Sequence, residues 1–254
     1  MSAVAATFAH DALAGRVALV VGGSSGIGAG IAAGLAAVGA VVTVTGATQV
    51  EADRAREGAT FAARDAVALD VRDDGAVRRV IGDLPRLDVL VNCAGIIRRG
   101  AEHDVAVFEE VLAVNLTGTM RCCALARDKL RMGAGRPGGV IVNTASMLSF
   151  QGGAAVPGYS ASKGGIAQLT KSLALAYASD GIRVNAVAPG WVRTPLTQTL
   201  QDDRARSAAI LARTPLGRWA EPADIAGAVV FLASPAAAFV TGVVLPVDGG
   251  YLVG

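Results

Sequence analysis

Arg16-Val17-Ala18-Leu19-Val20-Val21-Gly22-Gly23-Ser24-Ser25-Gly26-Ile27-Gly28 is the stretch that decides the fold. Residues 16–21 are short, apolar and β-branched, the signature of a strand buried on both faces. Glycines follow at once. Residues 29–38 read as a helix and 40–45 as a second apolar strand. Strand, glycine turn, helix, strand is the context a dinucleotide site requires. Glycine lets the backbone approach a pyrophosphate, and the helix N-terminus offers free N–H groups and a positive dipole end. Gly22, Ser24, Ser25, Gly26, Ile27 and Gly28 are therefore candidate cofactor-binding residues. Gly22-x-Ser24-x-Gly26 also fits a hydrolase nucleophile elbow. That reading needs an acid and then a histidine later in the chain, and the only later histidine is His103.

The pattern repeats along the chain. Residues 67–71, 87–91, 140–144, 183–188 and 243–247 read as strands. Residues 73–84, 104–132 (one long helix or two), 159–178 and 221–233 read as helices. Seven strands alternating with helices predict one α/β domain, a Rossmann-type doubly wound parallel sheet covered on both sides. No repeat and no linker divides residues 15–254, and residues 1–14 read as a loose arm. In such sheets the ligand lies beyond the carboxyl ends of the strands. Gly22, Asp70, Asn92, Ser146 and Pro189 all stand just past strand ends.

Tyr159-Ser160-Ala161-Ser162-Lys163 carries the chemistry. On a helix, a spacing of four places Tyr159 and Lys163 on one face. An unperturbed phenol has a pKa of about 10, and a nearby cation favours the phenolate. Ser146, at the end of the 140–144 run, brings a hydroxyl. Together the three can move a proton on the oxygen of a carbonyl/alcohol pair while a hydride moves at carbon. Lys163 is one of three lysines against twenty arginines. A compact ammonium stands where the chain otherwise uses a planar fork.

Composition excludes other classes. Of 254 residues, 52% are hydrophobic and 17% charged, which supports a large core. A net charge of +2 gives no case for nucleic acid or an anionic membrane. The longest charge-free apolar run, residues 29–42, is too short to span a bilayer. No basic residue opens a signal peptide in the first fifteen positions. Cys93, Cys122 and Cys123 are an odd set with two adjacent, which suggests a reducing, cytoplasmic setting. With two histidines and no CxxC pair, no metal site is expected.

Gly22-x-x-x-Gly26-x-Gly28, Asp70-Val71, Asn92-x-Ala94-Gly95, Asn115, Ser146, Tyr159-x-x-x-Lys163 and Pro189-Gly190 with Thr194 together resemble the short-chain dehydrogenase/reductase family, from about Leu13 to Gly250. The resemblance implies an NAD(P)-dependent alcohol–ketone oxidoreductase, usually a homotetramer. It implies that Tyr159 is the general acid/base and that Lys163 lowers its pKa and binds the nicotinamide ribose. Ser146 would hold the substrate oxygen, and Asn115 would fix a relay water through its helix backbone. Asp70 and Val71 would touch the adenine. Asn92, Ala94 and Gly95 line the cofactor, and Pro189, Gly190, Val192 and Thr194 meet its nicotinamide end. Two departures stand out: Val21 replaces a frequent Thr, and Cys93 a frequent second Asn. The structural alternative for Asn115 is a helix-capping or kink residue. The end of the second strand reads Thr45-Gly46-Ala47-Thr48-Gln49, with neither an acid nor an Arg; Thr48 could bond either cofactor. The choice leans to NAD.

Residues 145–153 and 95–99 are similar to 2-deoxy-D-gluconate 3-dehydrogenases and gluconate 5-dehydrogenases within the family. On that likeness Met147, Gln151 and Trp191 line a substrate pocket and Ser149 adds a polar contact. Arg98 or Arg99 meets a carboxylate, or both are ordinary surface arginines. Residues 191–213 would form a lid. The competing readings are a 3-oxoacyl-thioester (acyl-carrier-protein) reductase, docked through Arg78, Arg79, Arg127 and Arg131, or another carbonyl reductase. More distant is a nucleotide-binding regulatory protein without catalysis.

Overall fold

A computed structural model describes residues 4, 7–58, 62–133 and 135–254. Seven strands form one parallel sheet: β1 (Val17–Val21), β2 (Val41–Gly46), β3 (Asp65–Ala68), β4 (Val89–Asn92), β5 (Val140–Thr144), β6 (Arg183–Pro189) and β7 (Val244–Val247). Their spatial order is β3-β2-β1-β4-β5-β6-β7. The order reverses between β1 and β4, which opens a crevice beyond their carboxyl ends. Val21 pairs with Asn92, and Asn92 with Asn143, so these strand ends lie level.

The helices cover both faces. α1 (Gly26–Ala37), α2 (Gln49–Glu57) and α9 (Pro222–Ala233) lie over one, where Ile31, Leu35, Ile225 and Val229 are buried. α3 (Asp74–Asp83), α5 (Thr119–Leu130) and α6 (Pro157–Tyr177) lie over the other, burying Val77, Ile81, Leu130 and Leu173. α1 and α9 pack closely because glycine removes the obstacle. A Cβ on Gly30 would stand 2.5 Å from the Pro222 side chain.

Three expectations change. β3 spans Asp65–Ala68 rather than 67–71, so Asp70 and Val71 lie in the loop beyond it. α2 is additional. Its local signal is the capping pattern Thr48-x-x-Glu51, with the Thr48 hydroxyl accepting the Glu51 N–H. The 104–132 segment is three pieces: α4 (Val105–Leu112), a π-helical turn Ala113–Gly118, and α5. π turns of this kind concentrate at functional sites. Of the expected arm, residues 4 and 7–14 are described and the rest lie outside the described residues. Val4 and Leu13 are each 2% exposed, and Leu13 N–H donates to the Val38 carbonyl at 2.8 Å, sealing the end of α1.

Candidate active site

A cavity of about 610 Å³ runs along the carboxyl ends of β1, β2 and β4. Its floor requires missing side chains. Gly22 has φ +77°, and a Cβ there would lie 2.5 Å from Ala94 N; a Cβ on Gly28 would lie 2.1 Å from the Gly22 carbonyl oxygen. Ser25 leads into α1 with no side-chain cap, and the first turn carries no acid. The free N–H groups and positive dipole end of α1 therefore face the cavity without an internal anion. These features fit a dinucleotide pyrophosphate. Val21 cannot supply the hydroxyl of the frequent Thr, but Thr45 on β2 does, accepting Gly22 N–H at 3.0 Å.

Lys163, Tyr159, Thr144 and Thr194 join this cavity to its neighbour or border it. Tyr159 is the third residue of α6, and Lys163 stands one turn on. The Lys163 ammonium donates to the Thr144 carbonyl at 2.7 Å and lies 5.4 Å from the centre of the Tyr159 ring. Burial pulls the Lys163 pKa down to about 8. Burial likewise pushes the Tyr159 phenol up to about 12; the nearby Ser146 hydroxyl and the Arg99 charge oppose this, and Cys93 and Glu102 reinforce it. The ammonium is engaged by a backbone carbonyl over the ring, and in the described cleft desolvation dominates. Ser146 closes β5 and caps a short 3₁₀ turn, its hydroxyl accepting Leu148 N–H at 3.1 Å.

Asn115 lies in the π turn and is fully buried. Its Oδ1 accepts Ile96 N–H at 2.8 Å, and its Nδ2 donates to the Ile96 carbonyl at 3.0 Å and Ser162 Oγ at 3.1 Å. Its own carbonyl accepts the Thr119 hydroxyl at 2.8 Å. The kink reading and a site role thus coincide: the widened turn brings Asn115 against the Ile96 loop.

A second cavity, about 420 Å³, opens from Ser146 and Tyr159. Met147, Gln151 and Trp191 line it, and so do Pro189, Gly190, Val192 and Thr194, the residues expected at the nicotinamide end of the cofactor; of these four only Thr194 also lines the larger cavity. Two arginines, Arg99 and Arg213, are the charged side chains in its wall, and no Asp or Glu is among the lining residues.

The dinucleotide cavity holds Ser24, Ser25, Gly26, Ile27, Asp70, Val71, Ala94 and Gly95, as expected. Four assignments are corrected. Thr48 caps α2 and does not line the cavity. Asn92 turns inward, its Nδ2 donating to Asn143 Oδ1 at 2.9 Å and Cys123 Sγ at 3.2 Å, because its β-strand register points it into the core. Arg98 pairs with Glu110 at 3.0 Å and borders the dinucleotide cavity; Arg99 is the one that reaches the substrate cavity. Ser149 is used internally, donating to the Lys163 carbonyl at 2.6 Å.

Other residues escaped sequence reading. Glu51 lines the dinucleotide cavity and its carboxylate accepts Ala47 N–H at 2.7 Å, so an acid does stand at the end of β2. The capping pattern at Thr48 was its one signal. Glu102, Arg213 and Tyr251 carry no local signal, since each reaches the site from a distant part of the chain.

The family model described as "Enoyl-(Acyl carrier protein) reductase" matches residues 21–252. A 2-dehydro-3-deoxy-D-gluconate 5-dehydrogenase of Pseudoalteromonas atlantica is 43% identical over 94% of this chain and 97% of its own length. A cis-4-hydroxycyclohexanecarboxylate dehydrogenase of Sinomonas cyclohexanicum is 44% identical over 95% and 98%. Among solved structures, a candidate 2-deoxy-D-gluconate 3-dehydrogenase of Agrobacterium tumefaciens with bound NADP is 44% identical, covers 95% of this chain and 98% of its own, and has a TM-score of 0.84.

Proposed function

The chain belongs to the short-chain dehydrogenase/reductase family and is an NAD(P)-dependent oxidoreductase acting on CH–OH groups, and from that premise we propose that it interconverts a secondary alcohol and a ketone on a small sugar acid such as 2-deoxy-D-gluconate or gluconate. The observation that carries this is the pair Arg99 and Arg213 in the wall of the Tyr159 cavity, with no acid beside them. Such a cavity favours an anion. Two relatives are named for hydroxy acids.

A nicotinamide cofactor, when bound, would supply the hydride exchange at carbon. Tyr159 gives the proton to the carbonyl oxygen, or takes it from the alcohol. The Ser146 hydroxyl holds the same oxygen. Lys163 orients the nicotinamide ribose, and Asn115 keeps the Ile96 loop against the catalytic helix.

NAD is the preferred cofactor in this reading, because the Glu51 carboxylate at Ala47 would repel a 2′-phosphate. Residues 191–213 act as the lid. They contain the helices α7 (Gln198–Asp202) and α8 (Arg204–Ala212), whose Leu200 and Ile210 pack with Trp219, beyond the lid, in a small separate core. The assembly is a homotetramer, as the family resemblance implies. Free thiols at Cys93, Cys122 and Cys123 agree with the cytoplasm, and no helix among the described residues is long and apolar enough to cross a membrane. Carrier-protein docking is less favoured: Arg78, Arg127 and Arg131 are already paired with Asp74 and Asp180.

The test is nicotinamide absorbance with purified protein, NAD⁺ or NADP⁺, and 2-deoxy-D-gluconate, D-gluconate or 2-dehydro-3-deoxy-D-gluconate. Reduction with at least one acid is expected. No turnover of any acid, alongside turnover of a 3-oxoacyl thioester in the reducing direction, overturns the sugar-acid reading.

A further inference from the structure

We propose that Arg213 selects the substrate's charge: its guanidinium receives the carboxylate of a substrate whose reacting oxygen lies at the Ser146 and Tyr159 hydroxyls of the same cavity. This rests on the sugar-acid reading above and assigns a residue to it. Most arginines of this chain meet a carboxylate, as Arg72 does at Asp70 and Arg218 at Asp224. Arg213 has none among the described residues, yet it is held in place. Its guanidinium lies 4.4 Å from the centre of the Tyr251 ring, and its Nη2 donates to Gln151 Oε1 at 3.2 Å. All three residues line the cavity that contains Ser146 and Tyr159.

The physical argument is preorganisation. An arginine side chain carries about 2 kcal/mol of rotamer entropy. Stacking on Tyr251 and the bond to Gln151 hold the planar group before any substrate enters. Stacking occupies a face and leaves in-plane N–H donors free, the geometry that grips a carboxylate with two parallel bonds. A cationic group fixed this way and left without an acid is a recognition element in waiting.

Arg99 has a different part. It lines the same cavity, but no contact to Gln151 or Tyr251 holds its guanidinium among the described residues. Arg213 follows α8, Tyr251 belongs to the C-terminal segment, and Gln151 follows β5. Arg213 thus already ties the end of the lid to two otherwise separate parts of the fold, and a carboxylate adds a charge-assisted bond at that junction. A neutral polyol offers no such bond.

The experiment compares wild type, Arg213→Ala and Arg213→Lys under steady-state conditions with 2-deoxy-D-gluconate and D-gluconate, and with D-glucitol as alternative substrate or competitive inhibitor. We expect Arg213→Ala to raise KM for the acids by about tenfold or more, the size of a lost charge-assisted bond. The cofactor KM and the D-glucitol constant should move less than about threefold, and Arg213→Lys should recover part of the loss. Equal effects on acid and polyol, or acid KM unchanged in Arg213→Ala, overturn the role of Arg213 while leaving the sugar-acid reading intact. Wild type that turns over no sugar acid overturns both.

Discussion

The Glu102 carboxylate accepts the backbone N–H of Tyr159 at 2.7 Å through Oε2 and that of Arg98 at 2.7 Å through Oε1. Glu102 is 1% exposed and has no cationic partner among the described residues. A buried carboxylate is costly unless its lone pairs are used. Here two N–H groups and the N-terminal dipole of α6 use them. Glu102 thereby fixes the catalytic tyrosine and the arginine loop as one unit, which makes it a positioning residue. Its negative charge also raises the Tyr159 pKa. In Glu102→Gln the charge is gone, so the phenolate forms more easily. The rising limb of alcohol oxidation should move to lower pH while turnover falls. A drop in turnover with the limb unmoved would leave Glu102 a purely structural cap.

With a phenol pKa near 12, Tyr159 is protonated at neutral pH and ready to donate to a ketone. Alcohol oxidation needs the phenolate and should keep accelerating as the pH rises toward 10, whereas ketone reduction should not. Tyr159→Phe should lower turnover in both directions by about two orders of magnitude or more, the usual scale of general acid/base catalysis. Cofactor titration by fluorescence should stay near the wild-type value. Turnover close to wild type would remove Tyr159 from the mechanism.

Lys163 couples the site to stability. Its folded pKa, about 8, lies below its ordinary value of 10.5, so between these values the unfolded chain binds more protons than the native one. Native stability should therefore rise with pH through that window, by on the order of 3 kcal/mol at most. Below pH 8 the full penalty is present. Chemical denaturation of wild type and Lys163→Met from pH 7 to 10.5 should show the wild type gaining on the variant as pH rises. A pH-independent difference would show that burial does not disfavour the Lys163 charge. The same variant should bind cofactor more weakly, through the lost ribose contact.

Glu51 stands beside Ala47 in the wall of the dinucleotide cavity. Glu51→Gln removes the charge and keeps an acceptor for Ala47 N–H. The ratio of kcat/KM for NADP to that for NAD should rise about tenfold, the scale of one relieved charge contact near the surface. An unchanged ratio would move cofactor choice elsewhere, with Arg72 the next cation to test.

The fold was legible because its causes are local. The run at 17–21 and the glycines behind it state a buried strand and a phosphate turn in adjacent residues, and Tyr159 and Lys163 share a face by helical spacing alone. The boundary misplaced at β3 and the unforeseen α2 were weaker local signals, a four-residue strand and a cap at Thr48. What the sequence by itself determined, then, was the parallel sheet and the gathering of Ser146, Tyr159 and Lys163 around the cavities beyond its carboxyl edge. What only the tertiary structure decided was where charge meets the site. Arg99 rather than Arg98 faces the cavity because Arg98 is drawn to Glu110. Glu102 reaches Tyr159 across 57 positions of chain, and Arg213 meets Gln151 across 62. Side-chain direction on a loop, and burial that moves a phenol to about 12 and an ammonium to about 8, depend on packing between distant segments. No local pattern encodes either, because desolvation is a property of the assembled core.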